Sequence, residues 1–97
     1  MMIHHIVFFK LKPEVDGPKL DEMIRSTRSQ LLEVPGVIGV QSGQNIDTEA
    51  EWPFFLNVEV ATLEDLRQYS KDPIHVNYVE TVIKPNTTER LALDFQG

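Results

Sequence analysis

Apolar side chains occupy both alternations between Ile3 and Leu11, with Ile3, Val7, Phe9 and Leu11 on one and Ile6 and Phe8 on the other. A strand that is apolar on both sides is covered on both faces. Asp16-Gly17-Pro18 then signals a helix start, with Asp21 and Glu22 expected in the first turn. Leu20, Met23, Ile24, Thr27 and Leu31 recur at helical spacing and give that helix one buried stripe, which Pro35-Gly36 is expected to stop. Val37 to Gln44 reads as a second strand, in which Gly39 and Gly43 mark a bulge or a close backbone approach. After an acidic loop, Asn45 to Pro53, strict alternation returns. Phe54, Leu56, Val58 and Val60 face one way, and Asn57 and Glu59 face the other beside Phe55.

Thr62-Leu63-Glu64-Asp65 has the form of a capping box and opens a short helix through Leu66 and Tyr69. Asp72-Pro73 breaks that helix and starts another: the carboxylate caps and the proline suits the first helical position. His75, Val79 and Val82 then share a face, adjoined by Val76 and Ile83, until Lys84-Pro85. Thr88 to Phe95 closes the pattern as a strand, with Leu91, Leu93 and Phe95 opposite Arg90, Ala92 and Asp94.

The order is therefore β-α-β-β-α-β with a broken second helix. It predicts an α+β, ferredoxin-like fold: a four-stranded antiparallel sheet with helices on one face. Phe8/Phe9 and Phe54/Phe55 put large apolar groups on both sides of two strands, so the helix-free face also needs cover. A second copy of the chain is the simplest cover, which predicts a homodimer through that face.

Ninety-seven residues, 41% of them hydrophobic, predict one domain over 1–97. A formal charge of −6 argues against nucleic acid as a partner. The absence of cysteine removes disulfides, thiolate nucleophiles and cysteine zinc clusters. Met1 to Lys12 lacks the pattern of a signal peptide, and no stretch approaches membrane-spanning length, so a cytoplasmic protein without a membrane partner is expected. The three histidines lack local metal-ligand spacing, the glycines form no phosphate cradle and no serine has a nucleophile-elbow context. No metal or cofactor is expected.

Candidate chemistry concentrates in Tyr69-Ser70-Lys71-Asp72-Pro73-Ile74-His75. His75 falls in the first turn of the helix that Asp72 caps, where the positive end of the dipole favours a neutral imidazole able to act as a base. The plain reading is a histidine that is merely packed or caps a turn, and on these residues alone it is preferred. Tyr69, three residues after Leu66, is a partly buried phenol, equally a core tyrosine or a hydrogen-bond donor. Ile24, Thr27, Leu56 and Val79 are candidate pocket lining, though each also fits the core.

His5-Ile6-Val7-Phe8-Phe9-Lys10-Leu11-Lys12, Pro35-Gly36-Val37 with Gly43, the block from Tyr69 to His75, and Arg90 to Asp94-Phe95 together resemble the stress-responsive A/B barrel (Dabb) family, over nearly the whole chain. The resemblance implies a dimeric α+β barrel with its helices outside and a cavity between sheet and helices in each subunit. In the olivetolic acid cyclase-like members, which close a linear polyketide by cofactor-free aldol condensation, the functional positions match Tyr69, His75 and His5. His5 would serve there as an orienting partner, and His4, on the opposite alternation, as an interface or surface residue. The resemblance leaves open a cation held by backbone carbonyls near Leu31 to Val37, whose geometry a sequence does not show. Two departures stand out: Asp72 replaces a histidine common before the proline, and Val60 an aromatic residue. Two functions result. One is a cofactor-independent enzyme of cyclase, aldol, isomerase or oxygenase type acting on a small apolar or aromatic carbonyl compound. The other is a non-catalytic ligand-binding or stress-related dimer.

Overall fold

The computed structural model describes residues 1–97. Strand β1 (Ile3–Leu11) is followed by α1 (Gly17–Leu31), β2 (Val37–Gln44), β3 (Phe54–Val60), α2 (Leu63–Lys71), α3 (Pro73–Tyr78), a π-helical turn (Val79–Ile83) and β4 (Thr87–Gln96). The four strands form one antiparallel sheet in the order β2-β3-β1-β4, the ferredoxin-like arrangement. Both alternating strands orient as their patterns require. Ile3, Val7, Phe9, Phe54, Leu56, Val58 and Val60 are buried against the helices. They are joined there by Leu20, Met23 and Leu31 of α1 and by Tyr69, Tyr78 and Ile83.

Helix α1 begins as expected, with the Asp16 carboxylate accepting from the Lys19 amide at 2.9 Å and proline in the first turn. Two details differ. The first turn holds no acidic residue, since Asp21 and Glu22 lie just beyond it. The helix also ends at Leu31, before Pro35-Gly36, because the Glu33 and Val34 amides turn back onto Gln30 and Leu31. Gly36 instead adopts a φ of 90°, a left-handed conformation natural to glycine, and leads into β2.

The β2 glycines serve both expected purposes. The β2–β3 register shifts between Val37 and Gly39, a bulge that leaves Ile38 exposed. At Gly43 a Cβ would sit 2.9 Å from the Phe55 ring, so the backbone must pass bare.

The two short helices start on their predicted caps. Thr62 Oγ1 accepts from the Asp65 amide at 3.1 Å, and Asp72 accepts from the Ile74 amide at 2.8 Å. Beyond Tyr78 the α-helical hydrogen bonding does not persist, although Val79 and Val82 both pack against the core as expected. The Lys84 amide donates to the Val79 carbonyl, a five-residue step, and Ile83 at the end of the turn is buried, whereas Val76 in α3 is exposed. Asn86 Nδ2 and Thr87 Oγ1 take up the Val82 and Ile83 carbonyls at 2.7 and 2.8 Å.

On the helix-free face Leu91, Leu93 and Phe95 are 41%, 39% and 54% exposed beside Ile6 and Phe8. The middle of that face is more polar than the paired phenylalanines suggested. Gln41 donates to Glu59 at 2.6 Å and accepts from Asn57 at 2.8 Å, while Asn57 Oδ1 is buried without a partner.

Candidate functional site

A cavity of about 460 Å³ opens between the helix side of β1 and β4 and the segment formed by α3 and the π turn. Its walls include His5, Val7 and Phe9 of β1, Leu56 of β3, Tyr69 of α2 and His75, Tyr78 and Val79. Lys84 and Thr87 to Arg90 frame the remainder. The space exists because β4 runs on past the area that the helices cover, leaving its helix-side row of Arg90, Ala92 and Asp94 exposed.

The three sequence candidates come together on this wall. Tyr69 is the centre: its ring centroid lies 4.3 Å from that of His75 and 5.8 Å from that of His5. His5 and His75 arrive from opposite sides, one from the helix side of β1 and one from the start of α3. His4 falls on the other sheet face, 3.7 Å from Glu59, as its alternation required.

Hydrogen bonding fixes what each ring can do. His75 Nδ1 lies 3.2 Å from the Ser70 carbonyl oxygen, an acceptor only, so in the neutral ring Nδ1 carries the proton and Nε2 keeps its lone pair. Burial lowers the His75 pKa from its ordinary value of 6.5, and the nearby His5 and Arg90 push the same way, against the Ser70 bond and Asp72. Burial, more than the helix terminus that the sequence pointed to, is the main cause that favours the neutral ring. His5 Nδ1 lies 2.5 Å from Asp94 Oδ1, its register partner on β4. That carboxylate accepts from Nδ1 and fixes the ring.

Tyr69 is only 2% exposed, more deeply set than its position at the edge of a stripe implied. Its hydroxyl makes no hydrogen bond within the chain and yet is not a fully buried atom, so it opens to the cavity. Burial is the main cause that pushes this phenol above its ordinary range, with Tyr78 adding to the effect and Arg90 opposing it. At neutral pH it is a donor, not a base.

Tyr78, which the periodicity did not single out, is the second phenol of the wall and differs in one respect. Thr27 Oγ1 gives its only proton to the Met23 carbonyl at 2.7 Å, so the Tyr78 hydroxyl, 2.5 Å away, must donate to Thr27. Its donor is committed to α1. An apolar row of Ile74, Tyr78 and Val82 at i, i+4 was the available signal. Of the four proposed lining residues, Leu56 and Val79 face the cavity. Thr27 is wholly buried in the bond just described, and Ile24 packs against the core with its carbonyl bonded to Ser42. Val60 is likewise fully buried core, away from the cavity. Near Leu31 to Val37 the Leu31 and Val34 carbonyls accept from the Val34 and Val37 amides at 3.2 and 3.1 Å. The chain contains no group of three or more His, Cys, Asp or Glu placed to hold a metal ion. No helix is long and apolar enough to cross a membrane.

The sheet order, the helices on one face and a polar-tipped cavity beneath them define an α+β, ferredoxin-like domain. The chain belongs to the stress-responsive A/B barrel domain family, whose model matches residues 3–96. It is 27% identical over 96 residues to a stress-response A/B barrel domain-containing protein of Arabidopsis thaliana. That match covers 97% of this chain but 36% of the Arabidopsis protein, so the chain spans about a third of that relative. Among solved structures it resembles a dimeric ferredoxin-like protein from Thermobifida fusca, with a TM-score of 0.84 and 20% identity over 98% of this chain and 90% of that one. It also resembles the hydroxynitrile lyase of Passiflora edulis, with a TM-score of 0.81 and 14% identity over 97% of this chain and 91% of that one.

Proposed function

We propose that the chain binds a small apolar or aromatic carbonyl compound in the cavity and moves a proton α to the carbonyl without a cofactor. The observation that carries this reading is the pairing of Tyr69 with His75. A phenol with an uncommitted donor lies against a neutral imidazole whose Nδ1 is held by Ser70, which leaves Nε2 as base. In the proposed step His75 Nε2 takes the α-proton, the electron pair of that C–H bond forms the enolate C=C bond, and the carbonyl π pair moves to the oxygen. Tyr69 donates to the enolate as charge develops. The enolate carbon then attacks a second carbonyl, as in an aldol closure, and the alkoxide formed takes the proton back from the imidazolium, or the enolate carbon is itself reprotonated by the imidazolium, as in an isomerisation. His5, fixed by Asp94, orients Tyr69 from the other side. The likeness to a hydroxynitrile lyase supports a barrel that accommodates carbonyl chemistry, and acts through the fold alone.

The working unit is proposed to be a homodimer through the helix-free face. The exposed row Leu91, Leu93 and Phe95 and the unpartnered Asn57 Oδ1 support it, as does the dimeric Thermobifida relative.

The test is exchange of the α-protons of benzoylacetone in D2O, followed by NMR. Wild type is expected to accelerate exchange, His75→Ala to lose about 10²-fold or more and Tyr69→Phe on the order of 10²-fold. Exchange at the buffer rate in wild type, or undiminished in both variants, would refute the proton-transfer reading and leave a binding protein.

A further inference from the structure

The charges around the cavity are balanced with one exception. Glu89 is held by Lys10 at 3.2 Å, Lys84 by Glu80 at 2.6 Å, and His5 by Asp94. Arg90 lines the same cavity as an exposed residue, and its side chain makes neither an ion pair nor a hydrogen bond within the chain. It stands opposite Phe9 on the helix side of β4, so its stem rises from the cavity floor. Asp94, the acid in its own row, is four residues along the strand, roughly 13 Å away, beyond the small residue Ala92. One end of the row thus carries a carboxylate engaged with His5, and the other a guanidinium with nothing to hold. The chain as a whole carries a charge of −6, so this cation is a local feature set against the general field.

From this arrangement we infer that Arg90 is the anchor for a carboxylate on the ligand, and that the site takes aromatic or apolar keto acids whose ketone lies at Tyr69 and His75. The inference rests on the carbonyl site proposed above and adds the second recognition point. A guanidinium fork fits a carboxylate with two parallel N–H···O bonds, so it selects an anion and also fixes its direction along the cavity. Val7, Phe9 and Leu56 line the same cavity and accommodate the apolar body of the ligand. A carboxylate there also offsets the Arg90 charge that disfavours protonated His75. Binding of the acid therefore raises the affinity of His75 for the proton it must accept.

The test uses a matched pair, β-benzoylpropionate and butyrophenone, which share the aryl ketone and differ by a carboxylate in place of a methyl group. Each is titrated into the full chain while the His75 and Tyr69 ring signals are followed by NMR. Wild type is expected to bind the keto acid about tenfold or more tightly, the preference shrinking as salt is raised. Arg90→Gln is expected to abolish that preference and Arg90→Lys to restore part of it. Equal affinity of wild type for the two, or a preference that survives Arg90→Gln, overturns the role of Arg90 and leaves the carbonyl site standing. Failure of both compounds to move the His75 and Tyr69 signals overturns the carbonyl site and the anchor together.

Discussion

The two tyrosines of the cavity wall are chemically identical and differ only in what their hydroxyls touch, which can be measured as stability. Tyr78 is 1% exposed and donates to Thr27, itself 0% exposed. Tyr78→Phe removes one buried hydrogen bond but leaves Thr27 bonded to Met23, so it should cost about 1 kcal/mol. Thr27→Val keeps the shape and strands the buried Tyr78 donor, which should cost about 2 kcal/mol. The double variant replaces both partners with apolar groups and should cost well under the sum, with a coupling of about 1–2 kcal/mol. For a domain of this size the single changes correspond to a lowering of Tm by roughly 5 and 10 °C. Urea unfolding followed by circular dichroism, at fixed protein concentration because a dimer is proposed, measures the cycle. Additive losses, or a Tyr78→Phe loss as large as that of Thr27→Val, would refute the assigned direction of the bond. They would also reopen the claim that Tyr69 alone has a free donor.

Other outcomes follow from the same geometry. Since the folded pKa of His75 lies below 6.5, the unfolded chain binds the extra proton first as pH falls. The contribution of His75 to stability is therefore level above about pH 6.5 and declines below it until the folded pKa is passed. His75→Gln should remove that decline in a series of melts between about pH 7.5 and 5. Leu93→Asp should convert the proposed dimer to a monomer in light scattering, whereas Leu32→Asp, on the exposed end beyond α1, should not. An unchanged mass for Leu93→Asp would contradict the proposed interface. Gly43→Ala should cost about 1 kcal/mol or more because the new methyl meets the Phe55 ring, and an unaffected Tm would show that the ring moves freely.

What the residues disclosed in advance was whatever a short-range rule governs. Period-two alternation oriented β1 and β3, and side-chain caps at Asp16, Thr62 and Asp72 set three helix starts. The grouping of Tyr69, His75 and His5 came from resemblance, since residues so distant in the chain meet only through the sheet order. Two features escaped. The π turn over Val79–Ile83 arises from a five-residue hydrogen bond whose freed carbonyls are taken by Asn86 and Thr87, a tertiary solution invisible to a 3.6-residue period. Extending the period hid Tyr78. The weight of Arg90 escaped as well, because alternation gives the face of a strand but not whether a helix covers it. It becomes visible only when β4 is seen to outrun the helices.

The central claim is that His75 is a neutral base poised beside an uncommitted Tyr69. It is tested most directly by ¹⁵N spectra of the histidine rings across pH, in wild type and Tyr69→Phe, with and without benzoylacetone. His75 is expected to carry its proton on Nδ1, to titrate below 6.5, and to shift both on loss of the Tyr69 hydroxyl and on addition of the diketone. A His75 protonated on Nε2, or one that titrates at its ordinary value and responds to neither change, would contradict it.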